Sequence, residues 1–91
     1  MLEIGNTLRD IRSRKNLSLS ALSKRSGVSR SYISKIEQNQ QSPSIEYLEK
    51  LCEGLDIPFS IFIFLADNKE SKNSLDSIVQ NMKKIIYEQF L

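Results

Sequence analysis

Residues 18–38 have the sequence SLSALSKRSGVSRSYISKIEQ, and this stretch decides the fold. Ser18 and Ser29 each precede a helical pattern, where a serine oxygen can accept hydrogen bonds from the free backbone amides of a helix start. Gly27 ends the first of these helices, because glycine adopts the left-handed backbone of a helix stop without strain. Only a short turn, Gly27-Val28-Ser29, separates the two helices. A turn of this length that contains glycine predicts two helices that cross steeply.

The second helix of this pair is predicted to run from Ser29 to Gln38 and to be amphipathic. Ile33 and Ile36 lie three residues apart, so they share one face that can be buried. The opposite face is polar and consists of Arg30, Ser31, Ser34 and Lys35. This short helix is therefore expected to be exposed, as the second helix of a helix-turn-helix motif is.

Further helices are predicted on both sides of the pair. A first helix is indicated by apolar residues at helical spacing: Ile4, Leu8 and Ile11. Asn16 can end that helix, and Ser42 or Ser44 can cap a fourth one after a polar loop. The inward face of the fourth helix is expected to consist of Ile45, Leu48, Leu51, Cys52 and Leu55. With a short fifth helix in the apolar run of residues 59–65, residues 1–66 are predicted to form an all-α compact bundle of about five helices.

The rest of the chain is predicted to be a linker, residues 67–74, and an amphipathic helix, residues 75–91. One face of this helix carries Leu75, Ile78, Val79, Met82, Ile85 and Ile86. An uncovered apolar face promotes aggregation, so we expect a partner surface. The predicted homodimer interface consists of this face together with Phe59, Phe62 and Phe64. Two alternatives stay open, in which the helix folds back onto its own core or binds another protein.

Composition argues against catalysis and against a membrane protein. The chain has 91 residues, of which 40% are hydrophobic and 26% charged, a balance typical of one globular domain. It has no histidine and a single cysteine, Cys52, which is expected to be a buried thiol. We therefore predict no enzyme activity, no metal and no cofactor. No apolar run approaches the ~18 residues of a membrane span, and the start lacks the pattern of a signal peptide, so a cytoplasmic protein is expected.

Charge is distributed unevenly along the chain. Residues 1–39 contain eight basic and three acidic side chains, a net charge of +5. Residues 40–91 contain five basic and eight acidic side chains, a net charge of −3. The first half is therefore expected to bind a polyanion. The carboxylates of Glu46, Glu49 and Glu53 are interpreted as a solvated helix face and not as a metal site, because like-charged neighbours repel one another and the chain has no histidine to act as a further ligand.

The order of these elements resembles the lambda-repressor-like (Xre-type) helix-turn-helix family over roughly residues 4–65. The similarity rests on Leu17-Ser18, Leu22-Ser23, Gly27-Val28-Ser29, Ile33 to Glu37, Pro43-Ser44, Leu48 and Leu55. It implies a protein that places its recognition helix in the major groove of double-stranded DNA, and we expect a transcription regulator, either a repressor, which is favoured, or an activator. It also implies dimers that bind paired half-sites.

The resemblance, together with side-chain chemistry, predicts the residues that meet DNA. The family's base-contacting positions match Ser29, Arg30, Ser31 and Lys35. Arginine can donate two parallel hydrogen bonds to guanine, and lysine can donate to the same acceptors. Contacts to the DNA backbone are predicted for Arg9, Arg12, Ser18, Lys24, Arg25, Ser34, Asn39 and Gln40. The alternative for the charged residues is an ordinary solvated surface.

Separate predictions apply to three positions: Leu19, Asn39 and Glu37. Many family members have a glutamine at the start of the second helix that touches the DNA backbone, and Leu19 here removes that contact. Where a glycine commonly follows the recognition helix, Asn39 can adopt a similar backbone. Glu37 is expected to pair with a neighbouring arginine, since its charge would repel phosphate.

The rival function is a protein-interaction adaptor, or an antitoxin-like regulator, whose last helix binds a partner protein.

Overall fold

A computed structural model describes residues 2–67 and 74–91, with the side chain of Ser74 left out. It contains six α-helices: α1 (Ile4–Arg14), α2 (Leu19–Ser26), α3 (Arg30–Glu37), α4 (Ile45–Leu55), α5 (Phe59–Ala66) and α6 (Ser74–Gln89). The predicted all-α class is confirmed, and so is the short fifth helix. Most of the predicted linker, residues 68–73, lies outside the described residues. None of the described helices is long and apolar enough to cross a membrane.

Serine caps start three of the helices. The hydroxyl oxygens of Ser18, Ser29 and Ser44 each accept a hydrogen bond from the backbone amide three residues on, at 3.0, 3.2 and 3.2 Å. Each cap satisfies one of the amides that a helix start leaves without an intrahelical partner. The capping roles predicted for Ser18 and Ser29 are confirmed, and Ser44, not Ser42, caps α4.

A residue with a left-handed backbone conformation follows each of the first three helices, as expected. Gly27 has φ 76° and is the C-cap of α2, and Asn16 has φ 57° just after α1. Asn39, which follows α3, has φ 60°. Asparagine tolerates this backbone better than most residues with a β-carbon. The substitution of asparagine for the family's glycine therefore preserves the direction in which the chain leaves α3.

The turn between α2 and α3 is anchored on both sides. The Ser23 hydroxyl donates to the carbonyl oxygen of Val28 at 2.6 Å, and the Ser26 hydroxyl oxygen accepts from the Val28 amide at 3.2 Å. The Val28 side chain itself is buried in the core. Because both polar backbone groups of Val28 are satisfied while its side chain is packed, the angle between α2 and α3 is held firmly.

The core lies where these helices meet. Its least exposed side chains include Leu8, Ile11, Leu22, Ile33, Ile36, Leu51, Leu55 and Phe62. α1 also approaches the end of α3 closely, since a β-carbon on Gly5 would lie 2.4 Å from the carbonyl oxygen of Ile36. Glycine is therefore required at this crossing, and α3 is held between α1, α2 and the turn.

Two predicted apolar positions are corrected by the structure. Ile45 was expected to face inward, yet 69% of it is exposed, because the first turn of α4 lies at the edge of the bundle beside an open groove. Phe62 was expected at a dimer interface, yet it is completely buried in the core. Helical spacing identifies a face of a helix, but it does not show how far the neighbouring helices cover that face.

Helix α6 folds back onto the bundle through part of its surface. Ile86, Tyr87 and Leu91 pack against the core. Arg14 of α1 donates a hydrogen bond to the Tyr87 carbonyl at 3.1 Å, and its guanidinium lies 4.7 Å from the Tyr87 ring centre. Lys83 donates to the carbonyl oxygen of Asp67. Burial, followed by the charge of Asp10, raises the pKa of Tyr87. The fold-back alternative is thus realised for this part of the helix.

Candidate nucleic-acid interface

Five of the predicted DNA-contacting residues line one open groove beside α3. The groove is formed by Leu19, Arg30, Ser31, Ser34, Lys35, Gln38 and Gln40. Arg30 and Ser31 occupy the first turn of α3, and Lys35 lies in its last turn. Residues that are up to ten positions apart in sequence are therefore brought onto one surface by a single short helix and the loop after it. Their arrangement follows from the burial of Ile33 and Ile36 on the opposite face of α3.

The cations of this groove are available to an external anion. Arg30 and Lys35 are both exposed, and within the described residues neither forms a salt bridge. Their side chains therefore keep their hydrogen-bond donors for a partner outside the chain. Arginine offers a fork of donors that matches two acceptors of one guanine, while lysine offers a single mobile ammonium group.

A short chain of polar side chains borders the same groove. The side-chain Nε2 of Gln38 donates to the Ser34 hydroxyl oxygen at 2.8 Å. The side-chain Nε2 of Gln40 in turn donates to the side-chain Oε1 of Gln38 at 3.3 Å. Because the Ser34 hydroxyl is used here as an acceptor, its proton can still be donated, for example to a phosphate oxygen. Gln38 was not among the predicted contacts. Its position at the end of α3 could have suggested it.

Ser29 and Ser18 combine a structural role with a free donor. Each uses its hydroxyl oxygen to cap a helix, and neither hydroxyl proton is consumed by that bond. The starts of α2 and α3 also carry the partial positive charge of a helix N-terminus. The predicted contacts of these two serines with DNA are thus compatible with their caps.

Arg12, one of the predicted backbone contacts, is engaged by groups of its own chain, and its contact with DNA stays a prediction. Its Nε and Nη2 atoms donate to the two carboxylate oxygens of Glu37 at 2.7 and 2.9 Å, and its Nη1 atom donates to the Leu17 carbonyl at 2.8 Å. The side chains of Arg12 and Glu37 are only 16% and 6% exposed. The hydrogen bonds to Glu37 raise the pKa of Arg12. This guanidinium ties α1 to α3, and the pairing expected for Glu37 is confirmed.

The other predicted backbone contacts lie outside the groove. Arg9, Lys24 and Arg25 are exposed, and Arg9 donates to the Asn6 side chain at a long 3.4 Å. Asn39 places its side-chain oxygen against Gly5 of α1, on the side of a separate apolar groove. The structure therefore separates these four residues from Arg30 and Lys35, and their contacts with DNA stay predictions.

A contact between two tyrosines, one on α3 and one on α4, was not predicted from the sequence. The ring centres of Tyr32 on α3 and Tyr47 on α4 lie 5.0 Å apart at an interplanar angle of 41°. The Lys50 ammonium lies 5.3 Å from the Tyr47 ring centre. Each tyrosine stands three residues after a capping serine, a repeated spacing that could have been noticed. The contact between these tilted rings connects α3 with α4.

The fold and the groove define a helix-turn-helix protein, and comparison with known proteins agrees. The chain belongs to the helix-turn-helix family HTH_3, whose model matches residues 8–62. The HTH-type transcriptional regulator SinR of Bacillus licheniformis is 39% identical over 80 residues, which are 87% of this chain and 72% of that protein. This protein is therefore a member of a family of DNA-binding transcriptional regulators, a non-enzymatic family.

Solved structures support the same assignment. The restriction-modification controller protein C.AhdI from Aeromonas hydrophila matches with a TM-score of 0.64 and 34% identity, over 67% of this chain and 92% of that chain. A chain from the complex of the SinR and SinI proteins matches with a TM-score of 0.61 and 33% identity, over 96% of this chain and 81% of that chain. The second match extends over nearly the whole sequence, α6 included.

The side chains of the described residues offer little for catalysis. No group of three or more metal-binding side chains occurs among them. Cys52 is buried, and burial raises the pKa of its thiol to about 12. A thiol with such a pKa carries almost no thiolate near neutral pH and is a poor nucleophile.

Proposed function

We propose that this protein is a cytoplasmic, homodimeric transcription repressor that inserts α3 into the major groove of double-stranded DNA. The observation that carries the proposal is the groove beside α3, where Arg30 and Lys35 are exposed and unpaired among side chains that suit base edges. In this arrangement Arg30 and Lys35 read bases, while Ser29 and Ser31 accept or donate according to the base they face. Ser18, Ser34 and Gln40 hold phosphates beside them.

Homodimerisation is supported by the outer face of α6. Four large apolar residues of this helix, Leu75, Ile78, Met82 and Ile85, are between 42% and 63% exposed. We name them the α6 stripe. Their spacing of three, four and three residues is the spacing with which two helices pack along each other. Ile86 packs against the bundle and Val79 is half-buried, so the stripe is narrower than the predicted interface. Phe59 and Phe64 likewise pack partly on their own core.

Two copies explain how so short a helix can select an operator. A single α3 reaches only a few base pairs, whereas two copies related by a two-fold axis read two half-sites about one helical turn apart. Bound to its operator, such a dimer represses by occupying DNA that the transcription machinery needs.

A second candidate role uses the same stripe for a different protein. The structural match to a complex of SinR with SinI favours it, because that complex joins two proteins of different names. In this version α6 binds a partner protein, either in a regulator that also binds DNA or in an adaptor that does not. An adaptor of this kind would show no salt-sensitive affinity for DNA.

One experiment separates the DNA-binding proposal from the adaptor. A labelled pool of random duplexes is selected with the intact protein, and the binding of the selected duplex and of unselected duplex is titrated between about 50 and 200 mM salt. We expect a selected sequence with two related half-sites, bound at least ~1,000-fold more tightly than unselected duplex. Affinity should fall steeply with salt. The absence of enrichment together with salt-independent, weak binding would contradict the proposal.

A further inference from the structure

Leu19 occupies the position where many members of the family have a glutamine. Leu19 is the first residue of α2, directly after the Ser18 cap. One side of it packs against the core, and it remains only half-buried. The rest of the side chain lines the groove that contains Arg30 and Lys35. An apolar side chain thus forms part of the surface that is proposed to face base edges.

Leu19 differs in polarity from the other residues that line the groove. The other residues that line the groove are all polar: Arg30, Ser31, Ser34, Lys35, Gln38 and Gln40. A half-exposed leucine next to hydrogen-bonding side chains cannot take part in polar recognition. It gains free energy only if binding removes its exposed surface from water, which requires an apolar group on the ligand.

DNA offers one such group in the major groove. Each base edge there presents hydrogen-bond donors and acceptors, and thymine alone adds a methyl group, at C5. We propose that Leu19 is a specificity-determining residue that packs against the 5-methyl group of one thymine in each half-site, beside the base read by Arg30. The inference rests on the proposed function, since it requires that α3 occupy the major groove.

The chemistry separates thymine from its nearest competitors. Cytosine has no methyl group and presents an amino donor at the neighbouring position, so it leaves the leucine against a polar edge. Deoxyuridine keeps every hydrogen-bonding atom of thymine and lacks only the methyl group. Replacing thymine by deoxyuridine therefore isolates the contact without changing the protein.

The expected size of the effect follows from the burial of one methyl group. That burial corresponds to roughly a fourfold change in Kd. With the operator selected as described above, each thymine is replaced by deoxyuridine in turn, and Kd is measured for the intact protein. We expect one position per half-site at which the replacement weakens binding by about three- to fivefold.

Variants then attribute the effect to Leu19. For Leu19→Ala the penalty of deoxyuridine at that position should disappear, while Leu19→Met, which keeps an apolar side chain of similar volume, should retain it. Leu17→Ala is the matched control, because Leu17 also packs half-buried against the core but does not line the groove. It should leave the penalty unchanged even if it lowers stability.

The outcomes distinguish this inference from the proposed function. An operator without a methyl-sensitive thymine, or a penalty that persists in Leu19→Ala, would overturn the role of Leu19 while DNA binding stands. If no operator can be selected, the proposed function fails and the inference fails with it.

Discussion

Helices α3 and α6 are both amphipathic, but they present opposite surfaces to solvent. α3 buries Ile33 and Ile36 and turns charged and polar side chains outward. α6 packs Ile86 and Tyr87 against the bundle and turns the α6 stripe outward. The same helical periodicity thus prepares one helix for a charged, hydrated partner and the other for an apolar one. In the proposed function, DNA recognition and protein association therefore use different surfaces, the polar face of α3 and the apolar stripe of α6.

The two helices also differ in how they are attached. α3 is fixed by the Arg12–Glu37 pair, by the Tyr32–Tyr47 contact and by the anchored turn before it. α6 is attached by the packing of Ile86 and Tyr87, by the contacts of Arg14 with Tyr87, and by Lys83, which lies 5.6 Å from the Phe64 ring centre. A rigid recognition helix favours sequence selectivity, because its side chains lose little freedom on binding.

The largest expected effect concerns the attachment of α3. Glu37→Ala leaves the guanidinium of Arg12 in a mostly buried site without its carboxylate, and we expect a loss of about 3–5 kcal/mol in the free energy of unfolding. Urea denaturation measures this loss. The double variant Arg12→Met with Glu37→Leu removes both charges and should recover most of the stability. A single variant that costs less than about 1 kcal/mol would show that the pair contributes no more than a surface salt bridge.

The next effect concerns the outward face of α6. Introducing charges by Ile78→Lys together with Met82→Lys should weaken the homodimer by at least ~100-fold, because four apolar side chains per dimer would no longer be buried. Sedimentation equilibrium of the intact protein measures the association constant. Gln80→Lys, at an exposed polar position of the same helix, is the matched control and should leave the dimer intact.

This experiment can contradict the dimer in two ways. An intact protein that is monomeric at tens of micromolar would exclude the α6 homodimer and favour the partner-protein role. A double variant that stays dimeric would move the interface away from the stripe. A version that ends at Asp67 gives a further comparison, since a dimer that survives this truncation must use the bundle itself.

At the DNA surface, Arg30→Ala should reduce specific binding by about 1–3 kcal/mol and relax the base preference at one position per half-site. The reason is that its two parallel donors match guanine and no other base equally well. Selection from a random pool with the variant reports the change in preference. Arg25→Ala is the control, since Arg25 is an exposed cation outside the groove and should leave the preference unaltered.

The features that a few neighbouring residues decide could be predicted from the sequence. The caps at Ser18 and Ser29 and the left-handed stop at Gly27 depend on a few neighbouring residues, and the structure confirms them. The polar face of α3 also followed from helical spacing, because Ile33 and Ile36 leave only one orientation that buries both. Local chemistry therefore predicted the motif and five of the seven residues that line its groove.

Local patterns did not show the features that depend on contacts between distant segments. Arg12 looked like any other surface cation until folding brought Glu37, 25 residues away, onto its guanidinium. Phe62 belongs to an apolar run in which spacing cannot show which ring is enclosed, and the structure buries it completely. Ile45 has the spacing of a core residue, but the neighbouring helices do not cover its side chain, which stays exposed. Such differences arise from tertiary packing, which local patterns do not contain.

The smallest expected effects concern the cations outside the groove, and they test whether the net charge of the first half is used. Arg9→Ala, Lys24→Ala and Arg25→Ala should each weaken all DNA sequences equally if the side chain holds a phosphate, and reduce the salt slope by about 1. The reason is that each phosphate contact releases bound counterions whatever the sequence. We expect at least one of the three to behave in this way, whereas Arg12→Met, once corrected for its loss of folded protein, should leave the slope unchanged. Titrations of one operator and one unrelated duplex over a salt series measure both quantities. If none of the three alanine variants alters the salt slope, the electrostatic contacts are confined to the groove beside α3. If Arg12→Met lowers the salt slope, the pair of Arg12 with Glu37 opens on DNA.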